Sequence, residues 1–381
     1  MRLFDPSELG EASAAVADSP AARYVRSWAS NGRALIGNVE TRLLLLDTGA
    51  HQFPVSVNDG ERPGGNCYVV SPLAAYGAYA QEEVNRMKMR RFRLPLSWLV
   101  GIATSLLRSI QADRVVFINN WLLSTNLYPA AWKGDDLPEI TQLMLTNYPQ
   151  HAFAFRSLNS HFNGPLIARL KRLGYVSVPS RQVYVFDGHA GVRSDFLSHH
   201  NSQMDAGLLR RSRYRLLHGY DLKDEDFERL EQLYNLLYLE KYCHLNPHYK
   251  AEWLRRGHQE GWLQLQVLQS PEGRIDGVVG WVATDSTLSA PIVGYDTGLP
   301  MKVGLYRQLT QLCFQETAAR RILLNFSSGA SQFKRMRGGQ PRIEVSMIYV
   351  KHLPLSRRIV WGLLSILTRS VGVPVMKIFK L

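Results

Sequence analysis

Apolar residues in this chain recur with two different periods. The runs RLLLLD (Arg42–Asp47), 53–57, 67–70 and RVVFIN (114–119) are too short for helices. Turn formers such as NDGERPGGN bound them, so they predict strands. Helical spacing appears over 72–88 and again over 95–109. DDLPEITQLMLTNY carries Asp135, Asp136 and Glu139 in its first turn, where the helix dipole favours acids, and predicts a further helix. A strand HAFAFR, a helix HFNGPLIARLKRLG and a hairpin over GYVSVPSRQVYVFDG complete the first half.

The polar, histidine-rich stretch 188–203 predicts a domain boundary. Beyond it, RRSRYR leads into a strand. DLKDEDFERLEQLYNLLYLEKY then places Phe227, Leu230, Leu233, Tyr234 and Leu237 on one helical face. Three apolar runs over 262–297, separated by SPEG and DSTLS, form a β-meander. Helix GLYRQLTQLCFQETAARR, strand RILLNF, short helix SQFKRMRGG and strand PRIEVSMIYVKHL follow, so the second half reads β-α-β-β-β-α-β-α-β. Both halves close on strand, short helix, strand, as diverged copies of one unit would. The expected division is 1–190, 191–352 and a tail, 353–381, and 381 residues suit two domains of ordinary size.

Composition narrows the class. A hydrophobic content of 45% fills two cores and excludes wholesale disorder, while a formal charge of +13 favours polyanionic partners. Cys67, Cys243 and Cys313 are isolated and odd in number, without metal-ligand spacing, which predicts a reduced, cytoplasmic protein with no metal site. MRLFDPSELGE lacks a signal-peptide core, and no apolar run is expected to span a bilayer. No acid follows Glu344. In the tail, Arg358, Gly362, Ser365 and Arg369 form a stripe opposite Ile359, Leu363, Leu364, Ile366 and Leu367. Such a helix either makes a weak peripheral contact with anionic lipid or packs on the neighbouring domain; packing is the expectation.

Candidate chemistry concentrates in NFSSGASQFKRMRGG, where a buried strand ends in hydroxyls, a glycine and cations. Asn325, Ser327 and Ser328 either cap the short helix or hold donor and acceptor groups. Glu344, inside a strand, needs either an arginine partner or a role as general base. Arg210, Arg211, Arg213 and Arg215 crowd together, as do the cations of RMKMRRFR (86–93). Guanidinium forks of this kind fit phosphate, although a solvated helix end reads the same way. Arg335 and Arg337 add to the anion-binding candidates.

The ordered series RRSRYR, LYNLLYLEKY, the meander ending in VGYD, GLYRQLTQLCFQETA and NFSSGASQFKRMRGG resembles the GNAT superfamily. Within it, the resemblance is to the FemAB/FemX-like ligases and related acetyltransferases. It covers 203–352, with a weaker echo in 35–187. It implies an α/β fold of tandem GNAT-like domains, each a mixed, mostly antiparallel sheet flanked by helices. The implied activity is acyl transfer by direct attack of a primary amine, on a small molecule, amino acid or cell-envelope acceptor. The donor would be acyl-CoA as co-substrate, with no other cofactor and no metal, or aminoacyl-tRNA.

The resemblance makes Lys334, in the Phe-Lys pair, the expected oxyanion donor. It puts Tyr295 and Asp296 at the donor-binding end of the sheet. Asp296 then either holds or deprotonates the amine or is a turn aspartate before Gly298. It also places Tyr242 and His244 in the loop over the acceptor. The pyrophosphate loop of the superfamily corresponds to LPMKVGLYRQL, which retains Gly304 and offers Lys302 as a cation.

Overall fold

A computed structural model describes residues 1–379 apart from 11, 63 and 88. Lys88 of the basic run and residues 380–381 of the tail therefore lie outside the described residues. The strands are β1 (Arg2–Phe4), β2 (Arg42–Asp47), β3 (Gln52–Asp59), β4 (Arg114–Ile118), β5 (Ala152–Asn159), β6 (Val176–Asp187), β7 (Arg215–His218), β8 (Gln264–Gln269), β9 (Ile275–Ala283), β10 (Thr287–Tyr295), β11 (Leu323–Asn325) and β12 (Gln340–Tyr349).

The chain forms two compact units. The first comprises 1–33, 38–182 and 342–381, the second 34–37 and 183–341. These bounds differ from the expected cuts at 190 and 352, and strand pairing explains why. The last strand, β12, pairs antiparallel with β5 from Glu344↔Asn159 to Tyr349↔Phe153, so it closes the first unit. The end of β6 pairs antiparallel with β11 from Val185↔Asn325 to Asp187↔Leu323 and closes the second. A sequence repeat orders the strands but does not say which neighbour each will join.

The duplication is plain in the pairing senses. In the first unit β1 to β4 run antiparallel in order, β4 and β5 are parallel, and β5 meets β12 antiparallel. In the second, β7 to β10 are antiparallel, β10 and β11 are parallel, and β11 meets β6 antiparallel. Each unit is thus a mixed, mostly antiparallel sheet. In the second unit the helix Leu305–Arg320 covers one face of β9 and β10, with Leu309 against Gly277. The helix Asp226–Asn235 covers the other, since Gly294 points opposite to the Gly277 and Tyr295 side. A Cβ at Gly294 would lie 2.6 Å from the backbone of Leu233 and Tyr234. Only glycine admits that approach.

Several elements differ from expectation. Residues 67–70 form a turn, with the Ser71 and Val70 N–H groups donating to the Cys67 carbonyl; their apolarity reflects burial, not a strand. The expected hairpin over 174–188 is the single strand β6. Pro-Ser supplies no residue suited to the positive φ that a two-residue turn requires. The helices Pro20–Leu35 and Ala251–Gln259 were not legible from the pattern. The tail packs on the first unit, burying Trp361, Leu364 and Ser365. It also corrects the expectation that no segment is long enough to span: Leu355–Phe379 is helical over 25 residues with hydropathy 1.6, sufficient by length and composition.

Replacing Gly294 by alanine is expected to destabilise the protein by about 2 kcal/mol, because backbone sits where the methyl must go. Urea unfolding measures this, and an unchanged midpoint would mean that helix and sheet are not held at that separation.

Candidate active site

β10 and β11 run parallel only from Thr287↔Leu323 to Ser289↔Asn325. There β11 ends, while β10 continues along β9 to Tyr295↔Gly277. Its register against β9 shifts between Ser289 and Ile292, a bulge containing Pro291, which has no N–H to donate. From Ile292 onward, alternate peptide groups of β10 turn away from β9 toward the side that β11 has left. The result is a strand edge with main-chain donors and acceptors at the point where two strands part.

The loop that leaves β11 is conformationally costly. Ser327 (φ 55°) and Ala330 (φ 46°) are left-handed without being glycine, each at a cost of about 1 kcal/mol. Lys334 holds the loop in place. Its ammonium donates to the carbonyls of Phe326 (2.5 Å), Ser328 (2.7 Å) and Ser327 (3.3 Å), and the residue is only 4% exposed. The rings of Phe326 and Tyr184 lie 4.9 and 5.8 Å from the nitrogen. The Ser327 N–H donates to Asn325 Oδ1, and the Tyr184 N–H donates to the Ser327 carbonyl. The expected shielding of Lys334 from water is therefore present. Its directed hydrogen bonds, however, go to three main-chain carbonyls, matching the three donors of an ammonium. This geometry positions the loop.

Gly304 begins the Leu305–Arg320 helix with φ 68°, and a Cβ there would meet Leu208 Cδ2 at 2.6 Å. Glycine thus satisfies both the turn and the packing. Lys302 is exposed in the preceding turn, Met301–Val303. The N–H groups of Leu305, Tyr306 and Arg307 form the first helical turn, which has no intrahelical acceptors. Asp205, 1% exposed, accepts from Arg307 Nε at 2.5 Å and from Arg337 Nε at 2.6 Å. Arg337 also lies 3.4 Å over the Phe333 ring. Its expected phosphate role gives way to a buried ion pair that joins three segments. Arg335 donates to the Tyr184 hydroxyl at 3.2 Å. Arg210, Arg211 and Arg213 are exposed, with no carboxylate partner among the described residues.

Asp296 is ion-paired with Arg229 at 2.8 Å and accepts the Gly298 N–H at 3.0 Å. Burial pushes its carboxyl upward, but those bonds and the charges of Arg229 and Arg274 outweigh burial and hold it below the usual range. In this pair the carboxylate is a weaker base than a free aspartate. The Tyr295 hydroxyl accepts from Lys241 Nζ at 3.0 Å. Glu344 belongs to the first unit, where it is 1% exposed and meets Arg181 Nε at 2.7 Å. There it lines a small pocket with Tyr68, Tyr76, Arg156 and Arg181. Glu344 therefore has the arginine partner that a buried acid needs. Asp205, Arg229 and Tyr184 were missed: Asp205 and Arg337 are 132 residues apart, and no local pattern signals such a partner.

Lys334→Met is expected to lower stability by about 3 kcal/mol, since buried carbonyls lose a charged donor; thermal unfolding reads this out. Asp296→Asn is expected to cost about 1 kcal/mol or less and to leave turnover, once measured, nearly unchanged. Abolished turnover in a folded Asp296→Asn protein would restore the base role.

No family model matches the sequence, and no curated protein does. Among solved structures, FemX is 7% identical with a TM-score of 0.54, covering 94% of this chain and 100% of its own. L-PGS from Bacillus licheniformis is 14% identical with a TM-score of 0.45, covering 66% and 82%. A tandem GNAT protein from the clavulanic acid biosynthesis pathway is 9% identical with a TM-score of 0.36, covering 61% and 75%. At these identities the likeness is one of fold, and each unit of this chain is a mixed α/β unit of the kind found in FemX.

Proposed function

We propose that this protein is an N-acyltransferase that moves an acyl group from an acyl-CoA thioester to a primary amine. The parting of β10 from β11 after Ser289 and Asn325 carries this reading. An acyl-pantetheine arm is an extended chain with amide groups, and it fits a strand edge whose peptide groups lack a neighbour. The thioester carbonyl oxygen accepts from a main-chain N–H of β10, which stabilises the negative charge that forms on attack. The amine nitrogen bonds to the carbonyl carbon, the C–S bond breaks with its electron pair going to sulfur, and the amine loses a proton to solvent while the departing thiolate takes one up. Lys334 serves as a positioning residue, holding the left-handed loop beside that edge. The first turn of the Leu305–Arg320 helix, with Gly304 and exposed Lys302, supplies donors and charge for the diphosphate.

A second reading keeps amide formation and takes aminoacyl-tRNA as donor. The exposed cations Arg210, Arg211, Arg213 and Arg215, at and just beyond the end of the His200–Arg211 helix, favour it.

Thiol release from a panel of acyl-CoA esters with primary amines tests the first reading. Lys302→Glu, at an exposed position, is expected to raise the KM for acyl-CoA by about fivefold with kcat little changed, on the order of 1 kcal/mol. Amide formation from charged tRNA that ribonuclease abolishes, with no thiol release, would select the second reading. Absence of both would remove the acyltransferase assignment.

A further inference from the structure

The first unit carries two neighbouring helices, each with two apolar faces, of which only one is covered. In Arg93–Ser109 the inner face buries Ala103 and Leu107, and in Leu355–Leu367 it buries Trp361 and Leu364, all in one core cluster. The outer face of the first helix presents Leu94 (82% exposed), Trp98 (71%), Ile102 and Leu106, a stripe at four-residue spacing. The outer face of the second presents Leu355 (64%), Ile359, Leu363 and Ile366 (62%). The two helices touch, and at their far ends Phe92 and Phe379 are in ring contact with centroids 5.8 Å apart. The exposed side chains therefore belong to one side of the unit and exceed the scattered apolar residues of an ordinary surface.

Charge identifies what covers this face. No Asp or Glu occurs in 84–112 or after Glu344. Exposed Arg86, Arg90 and Arg91 precede the first helix, and exposed Arg358, Arg369 and Lys377 lie along the tail. Glu61 is paired with Arg108 at the end of the first helix, and cations still outnumber acids along both helices; a matching apolar protein surface would not call for that excess, whereas a negatively charged lipid surface does. Trp98 adds the side chain that favours the lipid–water interface.

We propose that this face of the first unit lies on an anionic lipid bilayer, with both helices parallel to the membrane plane. The tail is long enough to cross, but a crossing would withdraw Trp361 and Leu364 from the core. It would also break the bond from Ser365 Oγ to the Ser177 carbonyl at 2.8 Å. The in-plane arrangement keeps these contacts and covers the outer stripe.

Flotation of the full chain with vesicles tests the proposal. The protein is expected to float with phosphatidylcholine vesicles containing one third phosphatidylglycerol, and to stay in solution with phosphatidylcholine alone. Leu94→Glu with Trp98→Glu, and separately Ile359→Glu with Ile366→Glu, are expected to weaken binding at least about tenfold. These positions are exposed, so the thermal midpoint should hold, and circular dichroism checks it. Three results would overturn the proposal: no flotation with anionic vesicles; flotation unaffected by both pairs of substitutions; or a concentration-dependent dimer, without flotation, that either pair converts to monomer. The last would assign the face to a second copy of the chain.

Discussion

The second unit depends on how a strand of three residues, β11, is shared. β10 holds it on one side for the length of its own pairing, and the end of β6 holds it on the other. Once β11 stops, no strand continues its ladder with β10 among the described residues, and the register of β10 against β9 shifts between Ser289 and Ile292. An unpaired strand edge inside a protein carries unsatisfied peptide groups. Such an edge, beside a strained, lysine-pinned loop, is what the proposed acyl-donor site rests on.

Electrostatics are divided accordingly. Cations that are buried or half-buried are bound internally: Lys334 to carbonyls, Arg337 and Arg307 to Asp205, and Arg181 to Glu344. The arginines hold together segments distant in sequence and Lys334 holds a local loop, and burial favours such pairing. The exposed cations fall into separate groups, one at the end of the His200–Arg211 helix and others bordering the apolar face of the first unit. A formal charge of +13 therefore does not describe one basic surface. Part of it is structural.

Much of this was legible beforehand. The meander, the helix before β11, and the Ser-Ser-Gly exit appeared where the periodicity placed them, because short apolar runs between turn formers have few alternatives. The shielding of Lys334 was also anticipated. The aim of its ammonium was not, since three carbonyls six to eight residues earlier capture it only after the loop turns left-handed. The helix Ala251–Gln259 escaped notice because AEWLRRGHQ buries only Trp253, Leu254 and Gly257, too few apolar positions to mark a period.

By itself, the amino-acid sequence determined most of the order of the elements, the duplication and the location of the Ser-Ser-Gly loop, because these follow from local periodicity and turn chemistry. Only the tertiary structure decided which strands pair across the repeat, which sent Glu344 to the first unit, and which face of each amphipathic helix remains bare. Partners far apart along the chain are selected by packing and by the need to satisfy buried polar groups, and neither leaves a signal within a short window of residues.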